Sequence, residues 1–251
     1  MSCVGVGRDF QGHFIVRVQA DVKGIPTLNG RSRGIRFAGE LMKYALQGRG
    51  MLTYAASLVA ASVKVLPQSA TPDVQALFSS GNFAPGPKRK LDTKPGMTTG
   101  LWQMRPENRG YVDARSSDPH EQPAINPNYL AEDRDWFNSP ALKRYVVAEN
   151  VPGGDVQSDD ELLHYARQYS TTVFHATSSC RMGPDPMSVV DGRLRAHGME
   201  GLRVIDASVM PAVTSRNTNA PTIMIAEKGA AMLKEDARSR QSTVHSLRHG
   251  A

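Results

Sequence analysis

The sequence is poor in cysteine, in aromatic residues and in long apolar runs. It holds only two cysteines among 251 residues, so no disulfide framework supports the fold, and a reducing compartment is favoured. The most apolar run, residues 51–63, is too short to span a bilayer and ends before Lys64. The N-terminus shows no charged-then-apolar leader. We therefore expect a cytoplasmic protein without a membrane span.

Two common catalytic motifs are also missing. No G-x-G-x-x-G motif stands between a strand and a helix, and residues 5–7 supply only an isolated Gly-Val-Gly. No G-x-S-x-G nucleophile elbow occurs, which argues against a hydrolase of that type. Nothing in the sequence predicts a metal site.

Length and charge set further bounds. A chain of 251 residues, with 40% hydrophobic and 22% charged residues, can bury one or two ordinary cores. The formal charge of +6 is spread along the sequence, and the basic run at 88–90 follows a Pro-Gly-Pro turn. Without interleaved aromatic residues or a known module, nucleic-acid binding is not expected. Part of the excess of basic residues lies in residues 237–251, for which we predict a disordered basic tail.

Local patterns predict a mixture of strands and helices. Alternation of apolar and polar residues predicts a strand over 16–22, and helical spacing predicts a helix over 35–47 that ends at Gly48. Residues 51–66 fit either helix or strand. Residues 98–105 and 110–115 are predicted as two strands joined by a turn.

Stronger signals come from the second half. Ser139-Pro140 is typical of a helix start, and Ser158 with Glu161 forms the pattern of a capping box. Residues 202–205 are predicted as a buried strand. A helix is expected to begin around Pro221, with its apolar face formed by Ile223, Ala226, Ala230 and Leu233.

The region from 175 to 228 contains a long ordered set of short motifs. It resembles the C-terminal signature of the glucose–methanol–choline (GMC) flavoprotein oxidoreductases, and is most similar to choline- and alcohol-dehydrogenase-like members. The matching pieces are His175 and residues 180–183, 189–191, 194–198, 201–211 and 217–228.

A second resemblance lies near the start of the chain. Residues 5–14 resemble the family segment Gly-Val-Gly-x-Asn-Leu-Gln-Asp-His, with Asp9, Phe10 and Gly12 as departures. That segment lies near the middle of family members, so the resemblance implies that the N-terminal Rossmann half is absent here. The implied fold class is α/β (α+β), with a substrate-binding antiparallel sheet, helices and the C-terminal return of the FAD domain.

The resemblance also divides the chain by role. It implies a substrate-binding (cap) region over 1–170 and a C-terminal catalytic segment over 171–236, which returns to the FAD-binding domain. His175 aligns with the family's active-site histidine, and Asn217 with its His-or-Asn partner. An imidazole can take up an alcohol proton near neutral pH, and an amide can hold the alcohol oxygen in place. His13 and His197 match positions to which the family gives structural roles.

The cofactor implied by the resemblance is FAD. Asp206 and Ala207 would line its diphosphate, and Asn217, Pro221 and Thr222 would contact the flavin region. A helix start at this place would stabilise negative charge on the reduced ring.

Two departures from the family pattern lie beside these residues. Ser178-Ser179 replaces Gly-Thr after the active-site histidine. Arg216 replaces a small residue before Asn217, which would either favour an anionic substrate group or block the pocket.

The implied function is oxidation of the CH–OH group of an alcohol, with hydride transfer to flavin N5 and reoxidation by an unknown electron acceptor. An upstream-encoded protein would supply the missing FAD-domain half. The alternative is a truncated, catalytically silent fragment or interaction module that does not bind FAD by itself. A chain of this kind is expected to expose apolar surface and to self-associate.

Overall fold

The structure is a computed structural model that describes residues 3–55, 57–84, 90–129 and 158–249. These residues form two compact units, both built from separated parts of the chain. One unit contains a five-stranded sheet and lies within residues 14–104 and 158–173. The other contains residues 3–13, 105–129 and 174–249, and it carries all the candidate site residues.

The described residues contain seven strands in two antiparallel sheets. The larger sheet has the order β2-β3-β4-β1-β7, and β5 pairs only with β6. The strands are β1 (Phe14–Asp21), β2 (Val59–Val63), β3 (Val74–Ser79), β4 (Gly96–Gln103), β5 (Tyr111–Asp113), β6 (Ala124–Asn126) and β7 (Thr171–Thr172).

The centre of the larger sheet is the pairing of β1 with β4. The strand predicted over residues 16–22 forms as β1, although its burial does not alternate, and its register sets Val16 opposite Leu101. Gly100 in β4 leaves room for the side chain of Ile15, because a Cβ atom there would lie 2.4 Å from Cδ1 of Ile15. The predicted strands around residues 98–105 and 110–115 both form. They do not pair with each other, because β4 lies between β1 and β3 while β5 pairs with β6.

Two helices of the sheet unit follow their sequence signals. The helix predicted over 35–47 forms as α2 (Gly34–Gln47) and ends at Gly48, whose φ of 61° is left-handed. The capping box of Ser158 and Glu161 is confirmed at the start of α3 (Asp159–Tyr169). Residues 139–140 lie outside the described residues. A short helix, α1 (Leu28–Arg31), precedes α2, and a 3₁₀ turn, Met51–Thr53, follows it.

The helix α2 leaves its apolar side chains in contact with solvent. Ile35 is 90% exposed and Leu46 is 78% exposed, and no residue of α2 is buried. This agrees with the expected exposure of apolar surface. Self-association of the chain stays a prediction.

The core of the other unit packs around a short 3₁₀ turn, Ala207–Val209. Its buried residues are Val189, Val190, Leu194, Val209, Met210 and Ile225. The prediction of a buried strand at residues 202–205 is wrong. Leu202 is exposed. Among the described residues, the only β-bridge of this stretch joins Arg203 to Arg195, and a single bridge does not make a strand.

The last helix, α4 (Asn219–His249), forms where a helix was expected but buries a different face. Ile223 and Leu233 are exposed, so the predicted apolar face is wrong. The packed face instead carries Ile225 and Gly229, and a Cβ atom on Gly229 would lie 2.5 Å from Cγ2 of Ile205. The face of α4 that packs on the core is therefore the one that carries Gly229, because the missing side chain lets the helix approach Ile205 closely.

Ion pairs fix the same helix further along its length. The carboxylate of Asp236 accepts hydrogen bonds from Arg193, Arg195 and Arg203. The helix continues through the basic stretch to His249, so residues 237–249, expected as a disordered tail, are helical. This stretch contains neither glycine nor proline before Gly250. The sequence-based division at 170 and 236 stays a prediction as an assignment of roles.

Among the described residues, none of the helices combines the length and the apolar character that crossing a membrane requires.

Candidate active site

Two histidines from distant parts of the chain form the centre of the candidate site. Residues 11 and 177 form an antiparallel bridge, so the same register brings His13 opposite His175. The two Nδ1 atoms lie 2.8 Å apart, and the ring planes are nearly perpendicular, at 83°. His13 is fully buried and His175 is 8% exposed. His13, for which a structural role is expected, therefore also contacts the ring of the predicted catalytic residue His175.

The environment of His175 favours its neutral form. Burial lowers the pKa of His175 from the ordinary value of 6.5, since the imidazolium would lose hydration. A neutral imidazole at neutral pH has one ring nitrogen that can accept a proton. The contact with His13 is made through Nδ1 of His175.

Gln11 fixes the relative position of the segments around the histidines. Its amide Nε2 donates to the carbonyl oxygens of Pro106 (2.7 Å) and Asn108 (3.3 Å), and its Oε1 accepts from the Val213 N–H (3.0 Å). Its backbone exchanges two hydrogen bonds with Thr177. One buried side chain thus joins the segment that carries His175 to the loop that leads to Asn217.

A small residue at position 12 allows the close approach of the two histidine-bearing segments. A Cβ atom on Gly12 would lie 3.0 Å from Oη of Tyr129 and 3.3 Å from the carbonyl oxygen of His175. The aspartate of the family segment would have to displace these atoms.

The backbone on both sides of His175 is strained. Phe174 has a φ of 63° and Ser178 a φ of 71°, in the left-handed region that non-glycine residues rarely adopt. Phe174 is 73% exposed, whereas Ser178 is fully buried and its hydroxyl donates to Oγ1 of Thr177. Ser178 stands where the family has glycine, so the structure keeps the glycine conformation with a serine in it. Strain of this kind is typical of functional sites.

Asn217 lies in the exposed loop before α4. Thr218 is buried, and its carbonyl oxygen accepts from both the N–H (3.0 Å) and the hydroxyl (2.7 Å) of Thr222. Pro221 and Thr222 are half-buried, and the first turn of α4 carries no acidic side chain. The start of this helix can therefore interact with negative charge.

Asp206 and Ala207 lie at the 3₁₀ turn that packs beside the same segment. Asp206 is exposed, and its carboxylate accepts from the Ser208 N–H at 2.8 Å. The turn is joined to residues 180–182 by hydrogen bonds from Cys180 N to Ser208 O and from Met182 N to Val209 O. Its position relative to His175 is thus set by backbone contacts.

An ion-pair cluster holds the first loop of the chain on this segment. The guanidinium of Arg181 bonds Asp9 at 2.6 Å and Asp185 at 2.7 Å. Arg181 and Ser188 hold the pKa of Asp185 well below its usual range. Asp9 has a left-handed φ of 59°, which suits the asparagine or aspartate of this position.

Sequence reasoning proposed His175 and Asn217 as site residues, which stays a prediction, and it missed the contacts of Gln11 and His13. These contacts join residues more than 90 positions apart, which local periodicity does not report. The available signal was the segment 5–14, which also contains Gln11 and His13.

Comparison with known proteins identifies relatives of this chain by sequence. A family model described as GMC oxidoreductase matches residues 106–226. An oxygen-dependent choline dehydrogenase of Pseudomonas syringae pv. tomato is 45% identical over 159 residues, which are 58% of this chain and 27% of that protein. The enzyme of the same name from Shigella flexneri is 41% identical over 169 residues, which are 62% of this chain and 30% of that protein. The match thus spans less than a third of the relatives' length.

Solved structures show the same fold over a larger part of the chain. A formate oxidase of Aspergillus oryzae superposes with a TM-score of 0.77 at 22% identity, covering 94% of this chain and 48% of that one. A pyridoxine 4-oxidase from Mesorbium loti superposes with a TM-score of 0.71 at 21% identity, covering 94% of this chain and 45% of that one. The mixed α/β fold, with its antiparallel sheet, is therefore that of the C-terminal portion of these proteins, as predicted.

The first prediction concerns Gln11. Replacement by leucine removes its amide and leaves buried carbonyl and N–H groups without partners, each worth about 1–3 kcal/mol. We expect Gln11→Leu to lower the free energy of unfolding by about 3 kcal/mol in denaturant titration. Gln168→Leu, on the exposed face of α3, is the matched control. Equal stabilities of the two variants would contradict the role given to Gln11.

The second prediction concerns the strained turn after His175. A β-branched side chain fits the left-handed region poorly, so Ser178→Val should cost about 2 kcal/mol or more. Ser178→Gly should stay within about 1 kcal/mol of the parent, since relief of strain offsets the lost hydrogen bond. Ser178→Ala isolates the hydroxyl and should lie between them. Thermal unfolding measures the order, and a valine variant as stable as the glycine variant would refute it.

Proposed function

We propose that this chain, whose residues 106–226 match the GMC oxidoreductase family model, provides the substrate-binding and proton-transfer part of an FAD-dependent oxidoreductase acting on the CH–OH group of an alcohol. The observation that supports this best is the buried pair of His13 and His175.

His175 acts as the general base. Its pKa is lowered by burial, so the ring is neutral at neutral pH and can accept the hydroxyl proton of the alcohol. Removal of this proton raises the electron density on the oxygen and so favours loss of hydride from the adjacent carbon. The proton then stays on the His175 ring.

Asn217 acts as a positioning residue for the alcohol. Its amide can donate to the substrate oxygen, and its place before the buried Thr218 fixes the loop at the start of α4. Holding the oxygen between a donor and a base orders the reacting carbon, which is a major source of rate enhancement.

The residues at the start of α4 suit a flavin. This helix begins without acidic residues in its first turn and with half-buried Pro221 and Thr222. Its dipole would stabilise negative charge on the ring, and residues 206–207 would lie by the diphosphate. FAD, when bound, supplies the hydride acceptor. FAD also occurs in the formate oxidase of similar fold.

The partners of this reaction are also proposals. They are a small-molecule alcohol, an unknown electron acceptor and an upstream-encoded FAD-domain half. Both cysteines, Cys3 and Cys180, are free thiols, which supports the proposed cytoplasmic location.

The third prediction tests flavin binding and alcohol oxidation together. The purified chain is mixed with FAD, alone and with its upstream half, and its visible absorption spectrum is followed after addition of an alcohol. We expect a bound-flavin spectrum that bleaches with alcohol. Bound flavin that never bleaches with any alcohol would refute the function, and loss of FAD under both conditions would favour the silent fragment.

The same assay tests His175. In the flavin-loaded protein, His175→Ala should lower the rate of bleaching by about a hundredfold or more. Because the neutral ring is required, the parent rate should fall as the pH drops through the pKa of His175, which lies below 6.5. His120→Ala, an exposed position, is the control. A pH profile that His175→Ala leaves unchanged would contradict the assignment.

The fifth prediction concerns substrate charge. Arg216 is exposed directly beside Asn217, and its cation repels a quaternary ammonium alcohol such as choline more than a neutral one. We expect Arg216→Gln to raise kcat/KM for choline about threefold, because solvent screens an exposed charge. The neutral isostere 3,3-dimethyl-1-butanol should change little. Equal changes for both alcohols would show that Arg216 acts by size instead of charge.

A further inference from the structure

We propose that α2 is a membrane-surface helix, whose apolar face lies in the interface of a bilayer that contains anionic lipids. This attachment goes beyond the proposed oxidoreductase function and requires neither FAD nor an alcohol. It concerns one surface of the bilayer, because none of the helices in the described part of the chain could cross it.

The apolar residues of α2 lie on one side of the helix. At 3.6 residues per turn, successive side chains are rotated by about 100°. Polar residues 36, 40, 43 and 47 therefore fall on one side of the 14-residue helix. The apolar face on the opposite side is formed by Ile35, Ala38, Leu41, Met42, Ala45 and Leu46.

The polar side of α2 is the side that contacts the protein. The carboxylate of Glu40 accepts a hydrogen bond from the Met51 N–H at 2.9 Å and pairs with Arg31 at 3.3 Å. The Glu40 side chain is only 12% exposed, whereas every residue of the apolar face is exposed. An amphipathic helix of a globular protein normally packs the other way round. A face of this kind is expected to meet an apolar surface outside the chain.

Basic residues border the apolar face. Arg36 and Lys43 are seven residues apart, so they lie along the same edge of the helix, and Arg49 follows its end. All three are exposed, and no carboxylate in the described residues forms an ion pair with them. Residues 23–49 contain six Lys and Arg residues and one acidic residue, the already paired Glu40.

This charge distinguishes between the occupants of the face. A second copy of the chain would bring two sets of basic side chains together around the apolar contact, and their repulsion opposes that pairing. A bilayer accepts the apolar side chains among its acyl chains, while lipid phosphates at the rim pair with the cations. Arg36 and Lys43 can reach the phosphates because their aliphatic stems extend along the apolar face. The observed pattern therefore favours an anionic lipid surface.

The chain offers matched variants at exposed positions. Ile35→Gln combined with Leu46→Gln removes the two most exposed apolar side chains of α2 and keeps good helix-forming residues there. Ile125→Gln combined with Leu202→Gln makes the same change at exposed positions outside α2 and serves as the control. Thermal unfolding of both double variants checks that the fold is retained.

The experiment measures co-sedimentation of the 251-residue chain with lipid vesicles. One set contains phosphatidylcholine alone, and the other contains phosphatidylcholine with phosphatidylglycerol. We expect binding to the anionic vesicles, about tenfold weaker binding to the neutral ones, and a loss of the difference in high salt. Equal binding to both sets, or no binding to either, overturns the proposal. The comparison of lipids uses the parent chain, so it decides the matter even if a variant does not fold.

The variants then locate the contact. Ile35→Gln with Leu46→Gln should weaken binding to anionic vesicles about tenfold or more, because two apolar side chains no longer enter the bilayer. The control pair should bind as the parent does. Arg36→Gln with Lys43→Gln should remove most of the preference for anionic lipid. A folded Ile35→Gln/Leu46→Gln variant that binds as tightly as the parent overturns the assignment to α2.

Two further outcomes would assign the face to a protein. Sedimentation velocity shows whether the chain self-associates, and self-association that Ile35→Gln with Leu46→Gln abolishes would identify a second copy as the occupant. Displacement of the vesicles by the upstream-encoded half would identify that protein instead. Either result overturns the membrane proposal. A chain that binds anionic vesicles but oxidises no alcohol would refute the proposed function and leave the role of α2 intact.

Discussion

The fully buried amide of Gln11 is the contact on which the arrangement of the site depends. It binds carbonyl groups at residues 106 and 108 and the N–H of Val213, while its backbone pairs with Thr177. These four partners come from three separate parts of the chain. Inside a protein, an unpaired polar group is costly, so the amide specifies one arrangement of these segments and disfavours others. The facing of His13 and His175 is a consequence of that arrangement.

The strained backbone beside His175 and the burial of its ring both favour the neutral form of the imidazole. The left-handed residues on both sides, Phe174 and Ser178, bend the chain so that the ring enters the interior beside His13. Burial then lowers the pKa of His175 and keeps the ring neutral. A more relaxed backbone would leave the ring more hydrated, and its pKa would return toward the ordinary value. The strained turns therefore help to keep the His175 ring neutral by placing it in the interior.

Local signals in the sequence predicted the features that are decided locally. Gly48 ended α2 and Ser158 began α3, because caps depend on a few neighbouring residues. The face of α4 could not be predicted, since it depends on Ile205 meeting Gly229, a contact between separated residues. The strand expected at residues 202–205 failed for the same reason, because an apolar run becomes a strand only where a partner strand is available. His175 was predicted as a site residue from its motif, whereas its contact with His13 is seen only in the fold.

The chemistry of His175 is thus a property of the folded unit and not of the residue. Its contact with His13 joins positions 162 residues apart, so it exists only while Gln11 and Thr177 remain paired. Any local opening that separates these segments hydrates the imidazole and removes its Nδ1 partner at the same time. The pKa of His175 then returns toward its ordinary value, because the same contacts bury the ring.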